Sequence, residues 1–141
     1  MPAHKGRVMR SVLSFHENVK KAAKRNLSFR KVFYRGKFSE LAAISMPLGA
    51  ELGEDIHANA DEILFVVQGI GRVNVDGRIE KAKRNDAIFI AAGQHHNLTN
   101  VGRRDLKLLC VCSPPSSRIK GGIHKRGVAE MREQIRYAWE Q

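Results

Sequence analysis

From Phe29 to Cys112 the chain is a series of strand-length apolar runs broken by turn residues, with no helix-length periodic segment among them. Phe29, Val32, Phe33 and Tyr34 lead to a turn at Gly36, and Leu41–Met46 is stopped by Pro47 and Gly49. Ile63–Val67 is apolar throughout and bounded by Gly69, whereas Arg72–Asp76 alternates with period two into Asp76-Gly77, a strong hairpin signal. Ala87–Ala91 reads as another buried strand, Leu98 belongs to the next, and Leu106–Cys112 is the last before Ser113-Pro114-Pro115. Strands that follow one another without helical crossovers cannot build a parallel sheet. They predict an all-β antiparallel barrel or jelly roll.

The ends of the chain differ from this body. His16–Arg25 has helix-forming composition with a poor apolar stripe. Val128, Met131, Ile135 and Ala138 recur at helical spacing, which predicts an amphipathic C-terminal α-helix over about 127–139. The expected organisation is a basic N-terminal arm over 1–26, a barrel over 27–114 and a tail with that helix over 115–141.

Charge follows the same division. The formal net charge is +11, but residues 1–37 hold eleven Lys and Arg against Glu17 alone. Residues 38–112 hold eight against ten Asp and Glu, so the barrel is near neutral and the basic character belongs to the arm and tail. A basic arm can hold phosphates, yet no recognition helix or interleaved aromatic pattern accompanies it, so nucleic acid ranks last among partners. No apolar run approaches the roughly 20 residues that a membrane-spanning helix needs. The N-terminus lacks the apolar core of a secretory signal, so a cytoplasmic protein is expected. Cys110 and Cys112 share one face of a strand and are poorly placed to bridge each other; buried thiols in a reducing compartment are expected.

Chemistry-bearing residues concentrate between Gly53 and Asn100. In an extended segment His57, Asn59 and Asp61 face one way, and Glu62 opens the following strand with Leu64, Val66 and Gln68 on its face. His96, Leu98 and Asn100 share a face on a later strand. Two imidazoles and a carboxylate meeting inside a barrel could hold a divalent ion with coordination positions left open. The plainer reading makes His57 and His96 polar residues at strand ends. His95 faces away from His96, His124 lies in a Gly-rich basic loop, and Asn100 is expected to satisfy backbone groups at a strand end.

These residues resemble the two motifs of the cupin superfamily. Glu62 to Gly69 keeps the spacing that closes the first motif, with His57 at its first histidine and Asn59 where the family has a second. Gly93, His96 and Asn100 match the second motif in register, with Asn85 in place of its first glycine and Ala91 in place of its proline. The resemblance covers about residues 29–125 and implies a double-stranded β-helix, the jelly-roll cupin barrel, with an inward-facing metal site. It implies His57, Glu62 and His96 as ligands, with Asn59 a weaker donor at the remaining position; the ion would be Zn, Mn, Fe or Ni. The gap before Glu62 is one residue short of the family's range, which keeps Asp61 open as the carboxylate.

The expected function is a cupin barrel that binds or transforms a small polar or anionic metabolite at a divalent metal. The resemblance allows isomerase, dioxygenase or decarboxylase chemistry without choosing among them. Asp61 and His95 are the secondary candidates for an acid or base. The competing reading is a non-catalytic, metal-free binding module. Apolar surfaces outside the barrel (Val12, Leu13 and Phe15, and the C-terminal stripe) lead us to expect a homodimer in which the N-terminal segment or an edge strand crosses to the partner.

Overall fold

The computed structural model describes residues 14–52, 55–56 (backbone) and 59–115. His57, His124, the segment around Val12 and Leu13 and the expected helix over 127–139 lie outside the described residues. Strands account for 54% of the described residues and helix for 7%, so the all-β reading holds. In order the elements are α1 (Val19–Arg25), β1 (Arg30–Arg35), β2 (Glu40–Met46), β3 (Asp55–Ile56), β4 (Asp61–Gln68), β5 (Ile70–Val75), β6 (Arg78–Lys83), β7 (Ala87–Ile90), β8 (His95–Asn100) and β9 (Leu106–Ser113).

The strands form two antiparallel sheets. One has the order β1-β2-β9-β4-β7 and the other β3-β8-β5-β6. Consecutive strands β3 and β4 fall in different sheets, so the chain crosses between layers and the inner faces meet in one core. Leu64 and Val66 of β4, Leu106, Leu108 and Cys110 of β9, and Val73, Leu98 and Met46 fill it. The period-two pattern decides who enters: Glu62, Leu64 and Val66 are buried while Ile63 and Phe65 are more than a third exposed.

Turn chemistry fixes the register. Asp76 and Gly77 both have positive φ, 51° and 86°, which is the two-residue hairpin joining β5 to β6. Asn85 has φ 76°, a left-handed conformation that asparagine tolerates better than most residues. That explains how it can stand at the glycine position of the second motif.

One expectation changes. Ala87–Ala91 reads as a buried strand, but β7 is an edge of the five-stranded sheet, and Phe89 is 59% exposed. An apolar run cannot reveal whether a second layer covers its other face. The helix-forming composition of His16–Arg25 does give a helix, over the shorter span Val19–Arg25. Asn18 caps α1 by accepting from the Lys21 N–H at 3.0 Å. Its small Ala23 packs on Ala43 and Val67 on the outer face of the sheet, so a narrow contact suffices. The buried Lys107 ammonium ties the helix end to the sheet through the Asn26 carbonyl and the Ser45 hydroxyl.

Candidate functional site

Glu62 and His96 come from different sheets. β4 places Glu62 between Ile90 of β7 and Cys112 of β9. β8 places His96 between Asp55 of β3 and Val75 of β5. Both side chains are buried, and His96 Nε2 lies 3.9 Å from Glu62 Oε2 across the barrel interior. The sequence motifs bring these two together as expected.

The other candidates lie elsewhere. Asp61 is exposed, and its Oδ1 accepts the Ala92 N–H at 2.9 Å. His95 is exposed, with its backbone N–H donating to Asp76 Oδ1 at 2.9 Å. Asn59 sits exposed in a turn. Asn100 does what its strand-end position predicts: its amide donates to the carbonyls of Met46 and Arg104, and its oxygen accepts from the Gly102 N–H.

Beside Glu62 is a set of groups that sequence reasoning did not assemble. In the five-stranded sheet Glu40 of β2, Cys112 of β9 and Glu62 of β4 stand on one rung. The Cys110 thiol donates to Glu62 Oε1 at 3.5 Å, and its sulfur lies 3.6 Å from that of Cys112. That separation is well beyond the roughly 2.05 Å of a disulfide, and both cysteines are free. Arg30 reaches in from β1, 3.9 Å from each sulfur, and forms a 2.7 Å ion pair with Glu40. Arg35 holds the other oxygen of Glu40, also at 2.7 Å.

Two carboxylates on one buried rung would repel each other, and the Arg30 guanidinium offsets that repulsion. Burial works against the charge on Arg30, but the adjacent thiols and Glu40 outweigh it and hold its pKa above the usual arginine value. The hydrogen bond between the two thiols splits their behaviour. It pushes the Cys110 pKa well up, helped by burial and by Glu62. It lowers that of Cys112, where Arg30 assists against burial and Glu62. A signal for this cluster did exist: Glu40 opens an otherwise apolar strand, and Cys110 and Cys112 share a face. Their partners on other strands were not legible.

Glu62 and His96 offer one oxygen and one nitrogen donor close enough to flank a single ion, given metal–ligand bonds of about 2.0–2.2 Å. Among the described residues no group of three His, Cys, Asp or Glu side chains is placed to hold a metal. The donor set therefore fits in two members, and the third expected ligand, His57, follows directly on β3, which pairs with the His96 strand.

Comparison with known proteins decides the family. The profile of the cupin domain matches residues 43–112. The crystal structure of BH2720 from Bacillus halodurans is 33% identical, covers 73% of this chain and 83% of that one, and superposes with a TM-score of 0.71. The chain belongs to the cupin family. Among other relatives, the uncharacterized protein YrkC of Bacillus subtilis is 32% identical over 117 residues, 79% of this chain. This cupin spans only 62% of the length of YrkC. An oxalate-binding protein of Thermotoga maritima is 30% identical over 70 residues, half of this chain and 58% of the relative. Among the described residues no helix of this cupin is long and apolar enough to cross a membrane.

Proposed function

We propose that this cupin binds a small polar or anionic metabolite inside its barrel at a divalent ion, Zn, Mn, Fe or Ni, held by His57, Glu62 and His96. The observation that carries the reading is the buried Glu62–His96 pair, 3.9 Å apart and contributed by both sheets. An ion bound there would act as a Lewis acid on a coordinated oxygen. The chain's own residues set the stage: the Cys110 thiol orients the Glu62 carboxylate, and Arg30 balances the buried negative charge of Glu40. Asp61 and His95 stand outside this cluster, which favours binding over a named reaction.

Similarity to an oxalate-binding protein makes oxalate the first ligand to test. The buried Glu62 carboxylate makes the interior hostile to a dianion unless a cation intervenes, so oxalate should bind the metal-loaded protein and not the stripped one. Elemental analysis and calorimetry after reconstitution with each ion test this directly. Glu62→Gln and His96→Ala should lose the metal and the oxalate heat together. A wild-type protein that takes up no ion would overturn the metal reading, and equal oxalate binding with and without metal would overturn the role assigned to it.

We also propose that the cupin is a homodimer. Ile63 and Phe89 are cross-strand neighbours on the outer face, with Phe65 beside them, at the exposed edge formed by β7. Such a face, next to an open edge, supports a two-fold contact. Light scattering should give twice the chain mass, and Ile63→Asp with Phe89→Asp should halve it. A wild-type monomer at micromolar concentration would refute the contact.

A further inference from the structure

The end of the barrel remote from Glu62 and His96 holds a cavity of about 500 Å³. Gln68 lies six residues along β4 from Glu62, about 20 Å at the rise of an extended strand. Three loops meet there, between β4 and β5, β6 and β7, and β8 and β9, beside the C-terminal turn of α1. They bring Lys24, Lys83, Arg84, Arg103 and Arg104 around one opening. Val67, Ile70 and Val101 add apolar surface to its lining.

The close meeting of these loops is specified by glycine. A Cβ on Gly69 would stand 3.0 Å from the Asp105 carbonyl oxygen and 3.1 Å from the Leu106 Cα, and φ there is +92°. A Cβ on Gly102 would stand 3.2 Å from the Ile70 nitrogen. Both glycines let the β4–β5 and β8–β9 loops lie close against each other, which sets Arg103 and Arg104 beside Gly69 and Ile70. Arg104 is further oriented by a hydrogen bond to the Gln68 side-chain oxygen, and the Gln68 amide nitrogen is held by the Asp105 carbonyl at 3.1 Å.

The electrostatics are one-sided. Among the described residues no carboxylate lines the cavity, and none of its five cations makes an ion pair. Two acids stand in the same loops outside the lining. Asp86 accepts the Lys83 backbone N–H, and Asp105 lies 3.9 Å from the buried Lys107 ammonium. The near-neutral barrel body thus conceals a strongly positive end. Five like charges around one opening repel each other, and a multivalent anion would relieve that repulsion. Arginine forks match phosphate oxygens in geometry as well as charge.

We propose that this cavity binds a small ligand carrying a diphosphate group, independently of the metal site. A concave site of this volume suits a small molecule, whereas nucleic acid would call for an extended basic track.

Calorimetry with inorganic pyrophosphate at about 150 mM NaCl, where exposed long-range attraction is screened, provides the test. Wild-type protein should bind saturably, and His96→Ala should bind equally well, which separates this site from chelation at the barrel metal. Arg103→Gln with Arg104→Gln should weaken binding at least about tenfold, a loss on the scale of one charge-assisted contact. Lys31→Gln with Arg72→Gln removes the same charge from exposed strand positions and should leave affinity unchanged. Equal weakening in both double variants would overturn the proposal, because net charge alone would then explain binding. Absence of saturable binding to wild-type protein would overturn it too. So would a short single-stranded oligonucleotide that binds in an Arg103- and Arg104-dependent way while pyrophosphate does not.

Discussion

Replacing Glu40 by Gln should be among the most damaging single-charge changes in this protein. The substitution keeps the side-chain shape, so no cavity opens and the effect is electrostatic. Glu40 is fully buried and Arg30 is only 8% exposed, whereas Arg35 is 42% exposed. The two halves of the cluster therefore differ in worth. Removing one member of a buried pair leaves the other charge uncompensated, at a cost of about 3–5 kcal/mol. The half-exposed Arg35 contact is screened by water and contributes about 1 kcal/mol or less. The glutamine amide would also aim N–H donors at a guanidinium that has only donors to offer. Urea denaturation of the wild type, Glu40→Gln and Arg35→Gln, extrapolated to water, should return about 3–5 kcal/mol for the first variant and under about 1 kcal/mol for the second. Arg30→Met combined with Glu40→Met should recover most of the loss, since an apolar pair removes the stranded charge. The reasoning is refuted if Glu40→Gln costs no more than Arg35→Gln, or if the double Met variant is as unstable as Glu40→Gln.

Other consequences follow from the same packing. Asn100→Ala deletes three hydrogen bonds in the buried turn before β9 and should destabilise by about 3 kcal/mol at roughly 1 kcal/mol each, read from the urea midpoint at constant slope. Gly71→Ala places a methyl 2.9 Å from Leu98 Cδ1 and 3.2 Å from Leu106 Cδ2, and should cost about 1–3 kcal/mol in the same assay. In metal-free protein one thiol should ionise below the ordinary thiol range and the other well above it, because the Cys110 S–H, which donates to Glu62 while both thiols are neutral, can turn to the Cys112 thiolate. Cys110→Ala removes that donor, so the remaining thiol should titrate at higher pH by ultraviolet thiolate absorbance; an unchanged or lower value would contradict the assignment.

Much of the barrel was legible because its signals are local. The Asp76-Gly77 hairpin depends on two adjacent residues that both accept positive φ. The inward residues Glu62, Leu64, Val66 and His96, Leu98, Asn100 follow from alternation within single strands and are buried, whereas Gln68, expected on the face of Glu62, is only half-buried past a register shift after Val66. The motif spacing likewise singled out Glu62 and His96 before any contact between them was visible. The helix α1 was harder, since its stripe amounts to one buried alanine and its end is held by Lys107 from a distant strand.

What the amino-acid order determines alone is therefore which side of each strand is apolar, where the chain turns, and which two motif residues point inward. Which apolar faces stay exposed was decided only by how the sheets assemble: β7 fell at an edge, and among the described residues no second layer covers Phe89. The rung Glu40–Cys112–Glu62 also exists only after three strands pair, because no local periodicity specifies which residues of separate strands stand side by side. The same holds for the basic end, where three loops and a helix terminus gather five cations from a body whose charge nearly cancels in sequence. Alternation is a property of one strand, whereas charge convergence and buried pairing are properties of strands brought together, and only the folded chain has them.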